Sequence, residues 1–318
     1  MKQIRVTILA MFLAIGFASL NAQDVGSQLR QLASDNAPSY VGPLMAGWGA
    51  GLNSGFYHSA DLHSILGFDI QLKATFAGLS DGDKTYMFKT PANIPGFVQG
   101  GTGANGYPAE VKASTVVGPK DPTDVKANNG TTLMTLPGGL NLPAAPLLMP
   151  QVSIGLPFGF EVMGRFIPTT KLGDAGKVNF FGFGIRHDID QYIPLLPIDI
   201  AVHFVTQKFN YEDANGQKLI SASATAFGVE ASKNLLFLTV YGGFQIESSS
   251  WDVGPYDAGF AVVGSPQTIH VNQFTIEGKN KSRVLLGVRL LLLFINVHAD
   301  YSVASTPVAT LGVGITLR

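Results

Sequence analysis

The sequence predicts an all-β chain closed into an antiparallel transmembrane β-barrel of about 10–14 strands, with a short N-terminal helix placed to plug the lumen. Three observations predict it. Leu311 to Arg318 sets Leu311, Val313, Ile315 and Leu317 on one face against Gly312, Gly314 and Thr316 on the other, a strand with apolar surroundings outside and a polar or crowded space inside. The same two-residue period recurs through the second half of the chain, often with charges on the inner face. The chain also opens on an export leader, and no internal segment reaches the ~20 apolar residues of a spanning helix. Leu290 to Ile295, for instance, is stopped by Arg289 and Asn296.

The leader runs from Met1 to about Ala22: Lys2 and Arg5, an apolar core from Val6 to Ala18, and the boundary Leu20-Asn21-Ala22 before Gln23. Its core is too short and too promptly ended to anchor in a membrane, so cleavage on export is expected. Removing it takes two cations and no acid, leaving 19 Lys+Arg against 22 Asp+Glu, net −3, which recommends no nucleic-acid partner. The absence of cysteine excludes a lipid-anchored lipoprotein, a disulfide framework and thiolate metal sites together.

After the leader, Val25, Leu29 and Leu32 fall at helical spacing between Asp24 and Asn36, with Asp24 placed to cap and Pro38 placed to stop. Such a helix suits either a plug or a surface helix beneath the rim. The following 42–55 stretch, rich in glycine around Trp48 and Leu52, suits close packing against a wall. The expected organisation is therefore leader 1–22, helix and plug-like segment 23–57, and barrel 58–318.

Ile65 to Gly78 reads as the first strand, with Leu66, Phe68, Ile70, Leu72 and Phe76 alternating with Asp69, Gln71, Lys73 and Thr75. From Leu79 to Pro143 the period dissolves into Gly, Pro, Asn and Thr, a long external excursion whose Gly100 to Gly106 stretch reads as flexible loop. Strands resume at Gln151 to Leu156 and Phe158 to Ile167, where Glu161 and Arg165 point inward together. Lys177 to Ile189 turns Arg186 and Asp188 inward, with His187 an exception on the apolar side. Ile198 to Phe209 opposes Ile200, Val202 and Phe204 to Asp199, His203 and Gln207. Leu219 to Ser232 and Leu235 to Ser248 form a pair turning at Lys233-Asn234, with Glu247 inward. Ser249 to Asn280 is a second external excursion, and Arg283 to Leu291, Phe294 to Val303 and Val308 to Leu317 complete the wall with Arg283, Arg289, His298 and Asp300 inward. Tyr192, Trp251, Tyr256 and Tyr301 lie near strand ends, where amphipathic rings suit the membrane interface. Closure is required because an open edge would leave peptide groups unpaired in hydrocarbon. A soluble exported sandwich is the competing fold.

The segment Gly49-Ala50-Gly51-Leu52-Asn53-Ser54-Gly55-Phe56-Tyr57, the leader ending Asn21-Ala22-Gln23 and the closing Gly312 to Arg318 resemble an uncharacterised family of outer-membrane barrels from Bacteroidota. The resemblance implies bacterial outer-membrane localisation and no chemistry. A fainter likeness, small residues followed by a barrel, is to the long-chain fatty-acid outer-membrane transporter family. The terminal Arg318 departs from the aromatic residue that ends many such barrels.

The candidate lumen-lining residues are Asp69, Lys73, Glu161, Arg165, Arg186, Asp188, Asp199, His203, Glu247, Arg283, Arg289, His298 and Asp300. Both signs are present, so they suit an ion-pair network stiffening a small lumen or a polar route for a solute. No catalytic set, metal site or cofactor is expected. His298-Ala299-Asp300 brings no nearby serine, and His58, Asp61 and His63 have spacing common by chance. Asp81-Gly82-Asp83 lacks the rest of a calcium cage, and the 100–106 glycines lack a phosphate-loop lysine. The reading is a non-enzymatic barrel in outer-membrane lipid that passes or binds a small hydrophobic or amphipathic molecule, with its oligomeric state open. The alternatives are a filled barrel displaying its external loops and a lipid-modifying enzyme.

Overall fold

A computed structural model describes residues 36–173, 176–262 and 265–317. The leader and the 24–35 part of the expected N-terminal helix lie outside these.

Ten strands form the wall: β1 (Phe68–Gly78), β2 (Ala144–Leu156), β3 (Phe160–Lys171), β4 (Lys177–Asp188), β5 (Asp199–Glu212), β6 (Lys218–Leu235), β7 (Leu238–Val253), β8 (Ser282–Leu292), β9 (Ile295–Val303) and β10 (Val308–Leu317). Each pairs antiparallel with its neighbours, and β1 pairs with β10 from Phe68↔Leu317 to Ala77↔Val308, which closes the ring. This is the lower end of the expected strand range. Closure leaves no wall strand with an unpaired edge, as hydrocarbon surroundings require. Phe274–Glu277 adds a short strand to β7 outside the ring.

The period of two does the sorting. Along β8, Val284, Leu286, Val288 and Leu290 are exposed while Arg283, Leu285 and Arg289 are buried. On the inner face, glycines sit between large polar side chains of both neighbouring strands. Gly312 lies opposite Lys73 and His298, Gly182 opposite Arg165 and Gln207, and Gly314 opposite Gln71 and Asn296. Small beside large fills the narrow interior.

Helix α1 (Ala37–Leu52) stands in the lumen. Pro38, placed to stop the helix expected over Asp24 to Asn36, stands at the start of α1. It occupies the first turn, where proline's missing N–H has no intrahelical partner to lose. A methyl at Gly47 would collide with Ala145 of β2, and Gly51 lies against Thr75 of β1 and Leu147 of β2, so helix and wall approach closely there.

The chain between β1 and β2 is not a loose loop. It folds into a cap of short pairings, Thr85–Lys89 with Glu110–Ser114, Val98–Gln99 with Gly106–Tyr107, and Thr123–Lys126 with Thr132–Leu136. The 100–106 glycines form an ordered turn closed by Gly100 N–H donating to Tyr107 O at 2.7 Å. Tyr256–Val262 pairs with Ser265–Val271 at the same end. One apolar core runs from the cap into the barrel through Phe88, Val116, Leu133, Tyr40, Leu44 and Trp251.

Two further expectations are corrected. The hairpin between β6 and β7 turns at Leu236-Phe237, leaving Lys233 and Asn234 inside β6. Turn chemistry favoured the polar pair, but the register carries the strand past it. Trp251 is buried against Trp48 and Phe209, with ring centroids 5.8 and 5.7 Å away, and Tyr256 is buried in the cap. Trp251 shares the phase of Gln245 and Glu247, which points inward. His187 stays on the outer side because its ring stacks on Phe160 at 4.1 Å.

Candidate functional site

The lumen is occupied by the chain itself. Residues 36–64 descend from the cap to the opposite end of the barrel, and inward side chains fasten them at three levels.

At the top level the buried carbonyls at the end of α1 and just beyond it meet three cations. Arg165 Nη1 donates to Leu52 O at 2.9 Å and Nη2 to Ser54 O at 2.7 Å. Arg283 Nη2 donates to Ala50 O at 2.8 Å, and Lys73 Nζ to Gly55 O at 2.5 Å. Gln207 and Gln245 donate to Leu52 O and Asn53 O at 2.9 and 2.8 Å. The last carbonyls of a helix lack intrahelical donors and carry its negative dipole end, so cationic side chains are the partners its chemistry asks for. Arg283 is also paired with Glu247 at 2.6 Å. Among the described residues Arg165 bonds Gln151, Gln207 and the end of the helix and no carboxylate, and its guanidinium lies 4.5 Å over the Phe56 ring.

The middle level holds residues 56–58. Gln151 Nε2 donates to Phe56 O at 2.8 Å. His58 Nε2 bonds Asp69 at 2.5 Å, and its Nδ1 faces Arg289 Nη1 at 3.3 Å. The His58 ring packs on His298 at 5.0 Å, and His203 lies between the rings of Phe56 and Tyr57. Tyr241 donates to Asp300 at 3.0 Å.

The bottom level is centred on Arg186, which bonds Glu161 at 2.6 Å, Glu230 at 2.7 Å and Ser59 O at 2.5 Å. His63 Nδ1 bonds the second oxygen of Glu161 at 2.6 Å. Ser232 Oγ accepts from Ala60 N–H at 3.0 Å and donates to Asp199 at 2.9 Å. Asn234 donates to Asp61 at 3.0 Å.

Of the predicted lumen residues, Asp69, Lys73, Glu161, Arg165, Arg186, His203, Glu247, Arg283, Arg289, His298 and Asp300 are buried inside the barrel. Asp188 and Asp199 sit instead at the turn end, half-buried, where Asp188 accepts from Gln191 N–H at 3.2 Å. The buried wall charges balance. Lys73, Arg165, Arg186, Arg283 and Arg289 face Asp69, Glu161, Glu230, Glu247 and Asp300. Glu230 was missed by sequence reasoning because Ala222, Ala224, Ala226 and Gly228, which share its phase, hide the inner face of β6. Counting every second residue forward from Ala222 would have found it. Gln151, Gln207 and Gln245 were missed as plug ligands because nothing local shows that a glutamine faces a backbone carbonyl.

The arrangement is one of fastening. His58, Asp61 and His63 go to different partners, Asp69, Asn234 and Glu161. Among the described residues no group of three His, Asp or Glu side chains is set to hold a metal ion.

Among solved structures the chain is similar to Ail, the attachment invasion locus protein of Yersinia pestis, at 9% identity and TM-score 0.22, covering 80% of this chain and 98% of that one. It is similar to the transport unit of the autotransporter AIDA-I from Escherichia coli at 7% identity and TM-score 0.29, covering 87% and 99%. The β-domain of the Bordetella autotransporter BrkA matches at 7% identity and TM-score 0.31, covering 80% and 100%. Likeness at this level reaches no further than the barrel architecture that the strand pairing already establishes. Comparison with curated proteins finds no match. A family model does match, over residues 1–317, and with nearly its whole length covered the chain belongs to that family, a family of unknown function (DUF6588).

Proposed function

We propose that this protein is a non-enzymatic outer-membrane barrel, closed by its own N-terminal segment, whose work is done by the folded cap it presents outside the cell. The observation that carries this reading is the continuity of plug and cap. Asn36 and Lys89 exchange two hydrogen bonds at 3.0 and 2.9 Å, Val116 N–H donates to Tyr40 O at 3.0 Å, and the Tyr40 hydroxyl donates to Gly138 O at 2.9 Å. The segment that fills the lumen is thus also the pillar on which the cap stands. Long loops face outward and short turns face the periplasm in bacterial barrels, which puts the cap outside. The balanced charges and the three levels of fastening support a filled barrel over an open one.

Passage of a small hydrophobic or amphipathic molecule is the second reading. It is favoured by an apolar hollow beside α1, lined by Trp48, Leu52, Met149, Ile167, Phe180 and Trp251, in the half of the lumen nearer the cap. Such a route requires the plug to move. Single-channel recording in planar bilayers separates the two, comparing the full chain with a variant lacking residues 36–64. The display reading expects silence from the full chain and conductance from the deletion, with insertion verified for both. Steady conductance or solute flux through the full chain would overturn it.

A further inference from the structure

Five connections lie at the short-turn end: the entry into β1 and the turns between β2 and β3, β4 and β5, β6 and β7, and β8 and β9. Each of them holds a large apolar residue in the left-handed backbone region. These are Leu66, Phe158, Leu195, Leu236 and Leu293, with φ between +59° and +65°. That conformation brings Cβ against the backbone and suits glycine or asparagine.

The cap end of the same barrel follows the ordinary rule. Gly173 and Gly176 between β3 and β4, Gly216 between β5 and β6, and Gly254 after β7 take the positive-φ positions there. At the turn end the side chains are also turned away from the protein, being 79% to 101% exposed. Five strained and uncovered apolar residues in water would combine two unfavourable choices where glycine would avoid both. The pattern makes physical sense if something apolar covers them.

What covers them follows from continuity. Leu235, Leu292 and Ile295 beside these turns are exposed on the outer face of the wall, and the second residues of two turns, Phe237 and Phe294, are exposed too. The apolar surface that meets lipid along the strands therefore runs on around the rim without a polar break at the β8–β9 hairpin, while at the β6–β7 hairpin Lys233 lies on the outer face two residues before Leu235. Polar groups at the longest turn are used internally: Asp190 accepts from Ile200 N–H at 2.7 Å, and Lys233 of β6 reaches across to donate to Pro197 O.

We propose that the turn end of the barrel is sunk into the near leaflet of the bilayer, with Leu66, Phe158, Leu195, Leu236 and Leu293 inserted among phospholipid acyl chains as an anchoring ring. The barrel is then held in depth from the end opposite the cap, and the lower end of the plug, joined to β1 through Leu66, is held there with it.

The chain has no cysteine, so single labels are clean. Full-length Leu236→Cys and Leu293→Cys, with Gly216→Cys as the water-facing reference, are labelled with an environment-sensitive fluorophore in dioleoylphosphatidylcholine vesicles. Quenching by brominated acyl chains, with iodide quenching several-fold weaker than at position 216, is expected. Iodide quenching equal to that at position 216 overturns the proposal. Protection at both positions in native envelopes but not in vesicles also overturns it, and assigns the ring to a protein partner. A second comparison reads the sign of the effect. Leu236→Asn and Leu293→Asn relieve the backbone, so in water they raise or leave unchanged the thermal transition of the vesicle-bound protein. A ring in lipid requires both to lower it.

Discussion

Arg165 of β3 donates to the carbonyl oxygen of Leu52, the last residue of α1, at 2.9 Å, joining wall and plug across 113 residues of sequence. A buried guanidinium normally demands a carboxylate. Here its nearest acceptors are the carbonyl end of a helix and two glutamines, so the dipole of α1 supplies the compensating charge.

Arg165→Met is therefore expected to loosen the plug. It removes four hydrogen bonds, to Gln151, Gln207, Leu52 and Ser54. Bonds to charged groups contribute about 1.5–3 kcal/mol each and are not additive, so a loss of roughly 3 kcal/mol is expected in urea unfolding from bilayers. Brief conductance events should accompany it. A change within experimental scatter, with no such events, would mean that Arg165 does not hold the plug.

Arg186→Ala is expected to cost more than Glu230→Gln. The first leaves Glu161 and Glu230 buried without their shared guanidinium, a situation that costs roughly 3–5 kcal/mol. The second retains a neutral hydrogen-bonding partner for Arg186. Equal losses in equilibrium unfolding would show that the bottom level does not act as a network.

Gly312→Ala tests the small-beside-large interior. A methyl there would collide with the His298 imidazole, and overpacking of this kind costs about 1–3 kcal/mol. His298→Ala in the same chain should restore most of the loss. If the double variant is no more stable than Gly312→Ala alone, the collision is not the cause.

The direction of α1 makes a topological prediction. Asn36 is bonded to the cap while Ser54 is fastened inside the wall, so α1 runs down into the lumen from the loop end. An epitope inserted at Asn128, in the cap, should bind antibody on intact cells. Binding only after permeabilisation would contradict the assigned orientation.

Asp83 ties the two external excursions together. It accepts from Ser80 N–H at 2.8 Å and from Lys279 Nζ at 2.6 Å. Partial burial pushes its carboxyl up, but the Lys279 and Ser80 hydrogen bonds outweigh this and hold it below the ordinary carboxylate value. A depressed folded value means that the contribution is present above the ordinary aspartate pKa of about 3.9 and is lost as pH falls through the lower folded value. Carboxyl NMR should find the Asp83 titration moved up by Lys279→Ala. An unmoved titration would remove the link between the excursions.

Much of the wall was legible because its physics is local. Along Arg283 to Leu291 each residue declares its face by parity, so the inward placement of Arg283 and Arg289 needed no knowledge of neighbours. The turn at Lys233-Asn234 was misplaced because polar residues mark turns in water, whereas this rim turns on Leu236-Phe237.

The amino-acid sequence by itself determined the strand period and the inward charges, since these depend on side-chain alternation along a few residues. Tertiary structure alone decided that the lumen is filled, that Arg165 answers a helix terminus while Arg186 gathers two glutamates, and that Glu230 completes the balance. Those outcomes depend on which distant segments meet in a closed ring, and pairing across it is set by register and packing that no local pattern contains.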